Sequence, residues 1–147
     1  MDLILDSERR GRRALVTGGA VRVGRSICLA LGRAGYRVAV HYRTSQGDAA
    51  ATVRELKRMG GQPVALRADL SQPEEVAAMF TQVDEKLGGI DLLVNGAAIF
   101  PRQDALDVSV ADWDEVFALN VRAAFQCSQE AARRMGEGST IVSITDT

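Results

Sequence analysis

The feature that most restricts the fold of this 147-residue chain is a regular alternation of short apolar runs with segments of helical apolar period. The runs "RALVT" (13–17), "RVAVHY" (37–42), "PVALRADL" (63–70), "IDLLVN" (90–95) and "TIVSIT" (140–145) read as strands. From Arg22 to Ala34, Val23, Ile27, Ala30 and Leu31 recur at helical spacing. Residues 47–59 carry Ala50, Val53, Leu56 and Met59 on one helical face and close at Gly60-Gly61. "SQPE" (71–74) predicts a helix start, with Ser71 as cap, Glu74 closing the box and Pro73 in the first turn. Its stripe is Val76, Met79, Phe80, Val83 and Leu87. The longest helix is predicted from Val110 to Met135, capped by Ser109, with Trp113, Val116, Phe117, Ala124 and Cys127 facing inward. Strand following helix in this way builds a parallel sheet with helices on both faces. The continuous apolar character of "RVAV" and "IDLLV" suits strands covered on two sides. The expectation is one α/β domain over 1–147, a doubly wound parallel sheet of strand order 3-2-1-4-5, behind a basic arm at 1–12.

Composition narrows the function classes. The chain is 46% hydrophobic and 25% charged, which is globular rather than disordered. A net charge of -1 provides no global field for nucleic acid or an anionic membrane. The cluster Arg9, Arg10, Arg12 and Arg13 reads first as a solvated arm and second as a patch for an anionic partner. Leu3, Ile4 and Leu5 are too short a run for a signal peptide, and no stretch approaches a membrane span. A soluble, cytoplasmic protein is expected. Cys28 and Cys127 lack metal-ligand spacing and read as buried free thiols.

The chemistry is signalled after the first strand. "TGGAVRVG" (17–24) opens a helix, and glycines there permit a tight turn and close approach of backbone N–H groups to a pyrophosphate. The spacing from Gly18 to Gly24 predicts a dinucleotide site of the Rossmann type. An NAD site calls for an acid at the tip of the second strand. The tip here is "HYRTS", and His41, Arg43, Thr44 and Ser45 offer a cation and hydroxyl donors beside Tyr42. That chemistry suits the 2′-phosphate of NADP(H). A polar surface turn is the plainer alternative.

These residues resemble the short-chain dehydrogenase/reductase family across 13–147. Thr17, Gly18 and Gly24 match its glycine fingerprint, with Arg22 in place of the middle glycine. "ADL" (68–70) is similar to the segment in which an Asp contacts adenine, here Asp69 beside Leu70. "LVNGAA" (93–98) is similar to the Asn-Asn-Ala-Gly strand end, placing Asn95, Gly96 and Ala97 at the cofactor, and Ala98 stands where the motif has Gly. "ALNV" (118–121) carries Asn120, the match to the Asn of the catalytic group. Arg22 with "HYRTS" resembles the pteridine and dihydrofolate (dihydromonapterin) reductases within that family. This resemblance implies that Arg22 and Val23 meet cofactor phosphate, that Arg22 also reaches substrate, and that Phe100 stacks a pterin. It also implies that Asp146 stands where most of the family has a catalytic Ser. A simpler account makes Phe100 a loop anchor and Asp146 a turn former.

The implied reaction is NADPH-dependent reduction of a pterin or dihydrofolate C=N bond. A carbonyl or 3-oxoacyl-type reductase is the alternative within the family, and a non-catalytic NADP-binding module or an assembly role lies outside it. The family's Tyr-x-x-x-Lys is absent from these 147 residues, whose tyrosines are Tyr36 and Tyr42 and whose lysines are Lys57 and Lys86. The chain is therefore expected to be the N-terminal part of a reductase, inactive alone, with later strands missing and an exposed edge on its last strand. The resemblance further implies a small-molecule substrate and a homo-oligomer when complete.

Overall fold

The computed structural model describes residues 11–145. Five strands alternate with helices: β1 (Arg13–Val16), α1 (Arg22–Arg33), β2 (Arg37–Tyr42), α2 (Gln46–Arg58), β3 (Val64–Arg67), α3 (Pro73–Leu87), β4 (Leu92–Asn95), α4 (Val110–Phe117), α5 (Ala123–Ala132) and β5 (Thr140–Ser143). All pairings are parallel, in the expected order β3-β2-β1-β4-β5. Each strand is shorter than its apolar run or equal to it, because pairing stops where the chain turns toward the next helix.

The two faces of the sheet explain the continuous apolar runs. Leu15, Ala39, Leu66 and Leu93 point to one side and pack with Val76, Met79, Phe80 and Val83 of α3 and with Ala123 and Cys127 of α5. Their neighbours Ala14, Val16, Val38, Val40 and Val94 point to the other, against Cys28 and Leu29 of α1 and Ala49 and Leu56 of α2. Successive residues of a strand alternate sides, so both parities must be apolar when both faces are covered. Cys28 and Cys127 sit in opposite clusters and are free. Burial pushes each thiol up to about 12, which makes them packing groups rather than nucleophiles.

Several local expectations are corrected. Val23 (62% exposed) and Ala30 lie outside the core, and α1 buries Gly24, Cys28 and Leu29 instead. Met59 is also exposed, beyond the buried Leu56 of α2. The Ser71–Glu74 box does not form. Gln72 is the N-cap of α3, Pro73 enters its first turn, and Ser71 Oγ donates to Asp69 Oδ1 at 2.7 Å. A capping box does form at α4, where Ser109 and Asp112 exchange side-chain and backbone bonds.

The predicted 110–135 helix is interrupted by a five-residue π-helical turn, Ala118–Arg122, between α4 and α5. Within it Ala123 N–H closes on the Ala118 carbonyl, so the face presented by α4 is not continuous with that of α5. Trp113 and Phe117 consequently stack on one another in solvent, with centroids 4.5 Å apart, rather than facing inward. β3 and β5 are the two sheet edges, and all four residues of β5 are exposed.

At the amino end of the sheet Arg13 ties β1 to the start of β4. Its guanidinium donates to both carboxylate oxygens of Asp91 at 2.8 Å and to the Gly88 carbonyl. Among the described residues no helix is long and apolar enough to cross a membrane.

Candidate functional site

At the carboxyl end of the sheet the chain leaves β1 and β4 side by side, and Thr17 locks the two exits together. Its hydroxyl oxygen accepts from Gly96 N–H at 3.0 Å and Ala97 N–H at 3.1 Å, while its own N–H donates to the Val94 carbonyl at 2.9 Å. The turn after Thr17 must pass close to that junction. Gly18 has φ +66°, and a Cβ there would stand 3.1 Å from the Gly96 carbonyl oxygen and from Ala97 Cα. A Cβ on Gly24 would overlap the Gly18 carbonyl, so the first turn of α1 rests directly on the glycine turn. Arg22 also has positive φ, +49°, where the family fingerprint has glycine.

The result is a cleft of about 550 Å³ over the ends of β1, β2 and β4. The first turn of α1 opens into it with unpaired helix N–H groups and the positive end of the helix dipole. Of the sequence-predicted residues, Gly18, Arg22, Val23, Gly24, His41, Arg43, Leu70, Gly96 and Ala97 line this space. Among the lining residues there is no carboxylate, and Arg22 and Arg43 are exposed cations. Val21, Ala68, Ala98, Ile99, Leu119 and Ile144 complete the wall. Val21, Ala68, Ala98 and Leu119 fall inside the quoted motifs without having been singled out as site residues, Ile99 and Ile144 carry no such signal, and the convergence of the strand ends gathers all six.

His41 lines the cleft but is engaged within the protein, and the remaining predicted residues among those described stand outside the lining. His41 was expected as a donor to phosphate, but it is 3% exposed and both ring nitrogens are occupied within the protein. Nδ1 accepts from Gly18 N–H at 3.0 Å and Nε2 donates to the Ala68 carbonyl at 3.0 Å. Burial lowers its pKa, the Ala68 bond and the Asp69 charge opposing, so the ring is held neutral. Tyr42 turns away into the α1/α2 side, and Thr44 and Ser45 lie outside the cleft lining at the entry to α2.

Asp69 does not line the cleft. Its Oδ1 accepts from Ser71 N–H at 3.0 Å and from Ser71 Oγ, shaping the entry to α3. The Ser71 hydroxyl bond, with Arg43 and Arg67 nearby, holds its carboxyl below the usual range. Asn95 is buried and donates to Ser128 Oγ at 3.0 Å, pinning β4 to α5. Asn120 was expected to support a water chain, yet its amide is spent on one backbone unit: Nδ2 donates to the Ile99 carbonyl at 2.8 Å and Oδ1 accepts from Ile99 N–H at 2.9 Å. It therefore clamps the loop after β4 to the π-helical turn. Phe100 is 85% exposed and outside the cleft lining. Asp146 lies outside the described residues. No cluster of metal-ligating side chains occurs among the described residues.

A second groove of about 670 Å³ runs along the flank, lined by Ser71, Asp114, Phe117, Val121, Arg122 and Phe125. It has no glycine turn, and the carboxylates Asp114 and Glu115 lie in its lining beside Gln72, the N-cap of α3, which disfavours an anion there.

Comparison with known proteins identifies the family. The short chain dehydrogenase family matches residues 12–146. The 3-oxoacyl-[acyl-carrier-protein] reductase FabG of Staphylococcus aureus (strain Mu50 / ATCC 700699) is 38% identical over 124 residues, covering 84% of this chain and 50% of that protein. The tetrahydroxynaphthalene reductase PfmaG of Pestalotiopsis fici is 35% identical over 132 residues, covering 90% of this chain and 48% of that protein. A short chain dehydrogenase from Burkholderia cenocepacia J2315, solved in complex with NADP, superposes with a TM-score of 0.89 at 40% identity, over 91% of this chain and 55% of that one. The chain thus spans about half the length of the curated relatives it matches. With the parallel sheet, the glycine turn and the Thr17 junction in place, this chain belongs to the short chain dehydrogenase family.

Proposed function

We propose that this chain forms the cofactor-binding part of an NADPH-dependent reductase of ketone or 3-oxoacyl substrates. The observation that carries the cofactor half is the cleft itself: a helix start seated on a glycine turn, with Arg43 at the tip of β2 and no carboxylate lining it. The donor set fits a dinucleotide phosphate. Arg22 and the first-turn amides of α1 would hold the pyrophosphate, and Arg43 would take the 2′-phosphate that distinguishes NADP(H) from NAD(H). The bound nicotinamide supplies hydride. Ala98, Ile99 and Leu119 give the cleft an apolar wall, and such a wall excludes water from a reacting centre. The Asn120 clamp fixes the wall's position through Ile99. Asp146, which follows β5 in sequence, remains the candidate for proton relay.

The carbonyl assignment takes its support from the relatives, whose names specify 3-oxoacyl and tetrahydroxynaphthalene reduction and not a pterin or folate. It displaces the pterin expectation as the leading reading. Arg22, which does line the cleft, is the one observation that keeps a pterin or dihydrofolate C=N bond as a second reading; Phe100, exposed outside the lining, lends it nothing.

The test uses protein expressed from the complete reading frame. A carbonyl reductase consumes NADPH with a 3-oxoacyl thioester or an aromatic ketone; turnover with dihydrobiopterin or dihydrofolate alone would select the second reading. Arg43→Ala should weaken NADPH binding at least tenfold, about 1.4 kcal/mol, while leaving NADH within about threefold. Equal losses for the two cofactors would refute the 2′-phosphate assignment.

A further inference from the structure

We propose that His41 is a positioning residue that aims the glycine turn at bound phosphate without touching the phosphate itself. The proposal rests on reading the cleft as a dinucleotide site. Two successive amides of the turn are tied to this one residue. Gly18 N–H donates to His41 Nδ1 at 3.0 Å, and Gly19 N–H donates to the His41 backbone carbonyl at 3.0 Å. The far side of the ring is anchored by Nε2, which donates to the Ala68 carbonyl at 3.0 Å.

The neighbours dictate the tautomer. A backbone N–H can only donate and a carbonyl can only accept, so Nδ1 must be bare and Nε2 must carry the proton. The ring then spans from the end of β3 to the first residue of the turn, at 3% exposure. With Gly18 and Gly19 pointed inward, the amides left for an anion lie further along, from the end of the turn into the opening of α1 at Arg22, Val23 and Gly24. His41 thereby selects which part of the turn faces the ligand. Gly24 resting against the Gly18 carbonyl transmits that choice to the helix start.

Two substitutions divide the ring's two bonds between them. In His41→Asn, Oδ1 replaces Nδ1 and can keep the Gly18 bond while the Ala68 bond is lost. In His41→Gln, Nε2 replaces the ring Nε2 and can keep the Ala68 bond while the Gly18 bond is lost. Both variants, made in the complete reading frame, are measured by calorimetric titration with NADP+, by urea unfolding and by amide hydrogen exchange at Gly18.

His41→Gln should bind NADP+ at least tenfold more weakly and expose the Gly18 amide to exchange. His41→Asn should stay within about threefold of the parent and keep that amide protected, although both variants lose stability. Parental affinity in His41→Gln, or affinity losses in both that simply track their urea midpoints, would overturn the proposal. Direct phosphate contact by His41 would weaken both variants alike and leave Gly18 protection unchanged, which also overturns it. A parent protein that takes up neither NADP+ nor NAD+ would instead sink the cofactor reading and the positioning role with it. The exchange contrast at Gly18 separates that outcome from failure of the strut.

Discussion

Thr17→Val is the substitution that tests the junction beneath the cleft. Valine has the shape of threonine, so packing around this 2% exposed side chain is preserved and only the hydroxyl is removed. Two donors lose their acceptor at once, Gly96 N–H and Ala97 N–H. A buried donor left unpaired costs about 1–3 kcal/mol. Gly96 and Ala97 are half-buried, so water recovers part of that, and the lower half of the range applies to each. The hydroxyl's own donation to the Val94 carbonyl is long, 3.4 Å, and adds little. The expected loss is about 2–4 kcal/mol, a large share of the roughly 5–15 kcal/mol available to a domain. Thr17→Ser keeps the oxygen and removes one methyl, at about 1 kcal/mol. Urea unfolding with an unchanged m-value measures both. A Val variant within about 0.5 kcal/mol of the parent, or a Ser variant as costly as Val, would refute the claim that the oxygen joins β1 to β4.

Other expectations follow from the same geometry. Gly24→Ala places a methyl on the Gly18 carbonyl and should cost about 1–3 kcal/mol and weaken NADP+ binding, read by thermal unfolding and titration. Gly47→Ala is its control: nothing stands within 4 Å of a Cβ there, so replacing this helical glycine should stabilise by about 0.5 kcal/mol. The pH dependence of stability should have two acid steps. His41 is held neutral when folded, so the unfolded chain binds a proton first as pH drops below about 6.5, and stability falls from there by at most about 1.4 kcal/mol per pH unit. Asp91 is held charged by the Arg13 hydrogen bond, so its contribution is present above about pH 4 and lost below it, as pH falls through the folded pKa. His41→Asn should flatten the first step and Asp91→Asn should reduce the second, to which the lowered Asp69 carboxyl also contributes; urea midpoints between pH 3 and 8, on the order of ten points across the side-chain range, decide it.

The alternation of short apolar runs with helical periods was enough to determine a parallel doubly wound sheet, because both strand parities must be apolar when helices cover both faces, whereas its order was expected from the Rossmann-type glycine turn and the family resemblance. Gly18 and Gly24 were legible for a similar reason. A turn that passes so close to its neighbours leaves no room for a Cβ, and sequence records that directly as glycine.

What the tertiary structure alone decided is which polar atoms remain available to a ligand. His41, Asp69 and Asn120 each looked like a site residue, yet both ring nitrogens of His41 are engaged by Gly18 and Ala68, Oδ1 of Asp69 by Ser71, and both amide atoms of Asn120 by Ile99. Those partners lie as near as two residues and as far as 27 along the chain, so no local pattern announces them. The interruption at Ala118–Arg122 was equally hidden, since apolar spacing continues through it while the helical register shifts by one residue. Sequence specifies which chemistry a residue can offer. Only the folded chain settles whether another part of the protein has already taken it.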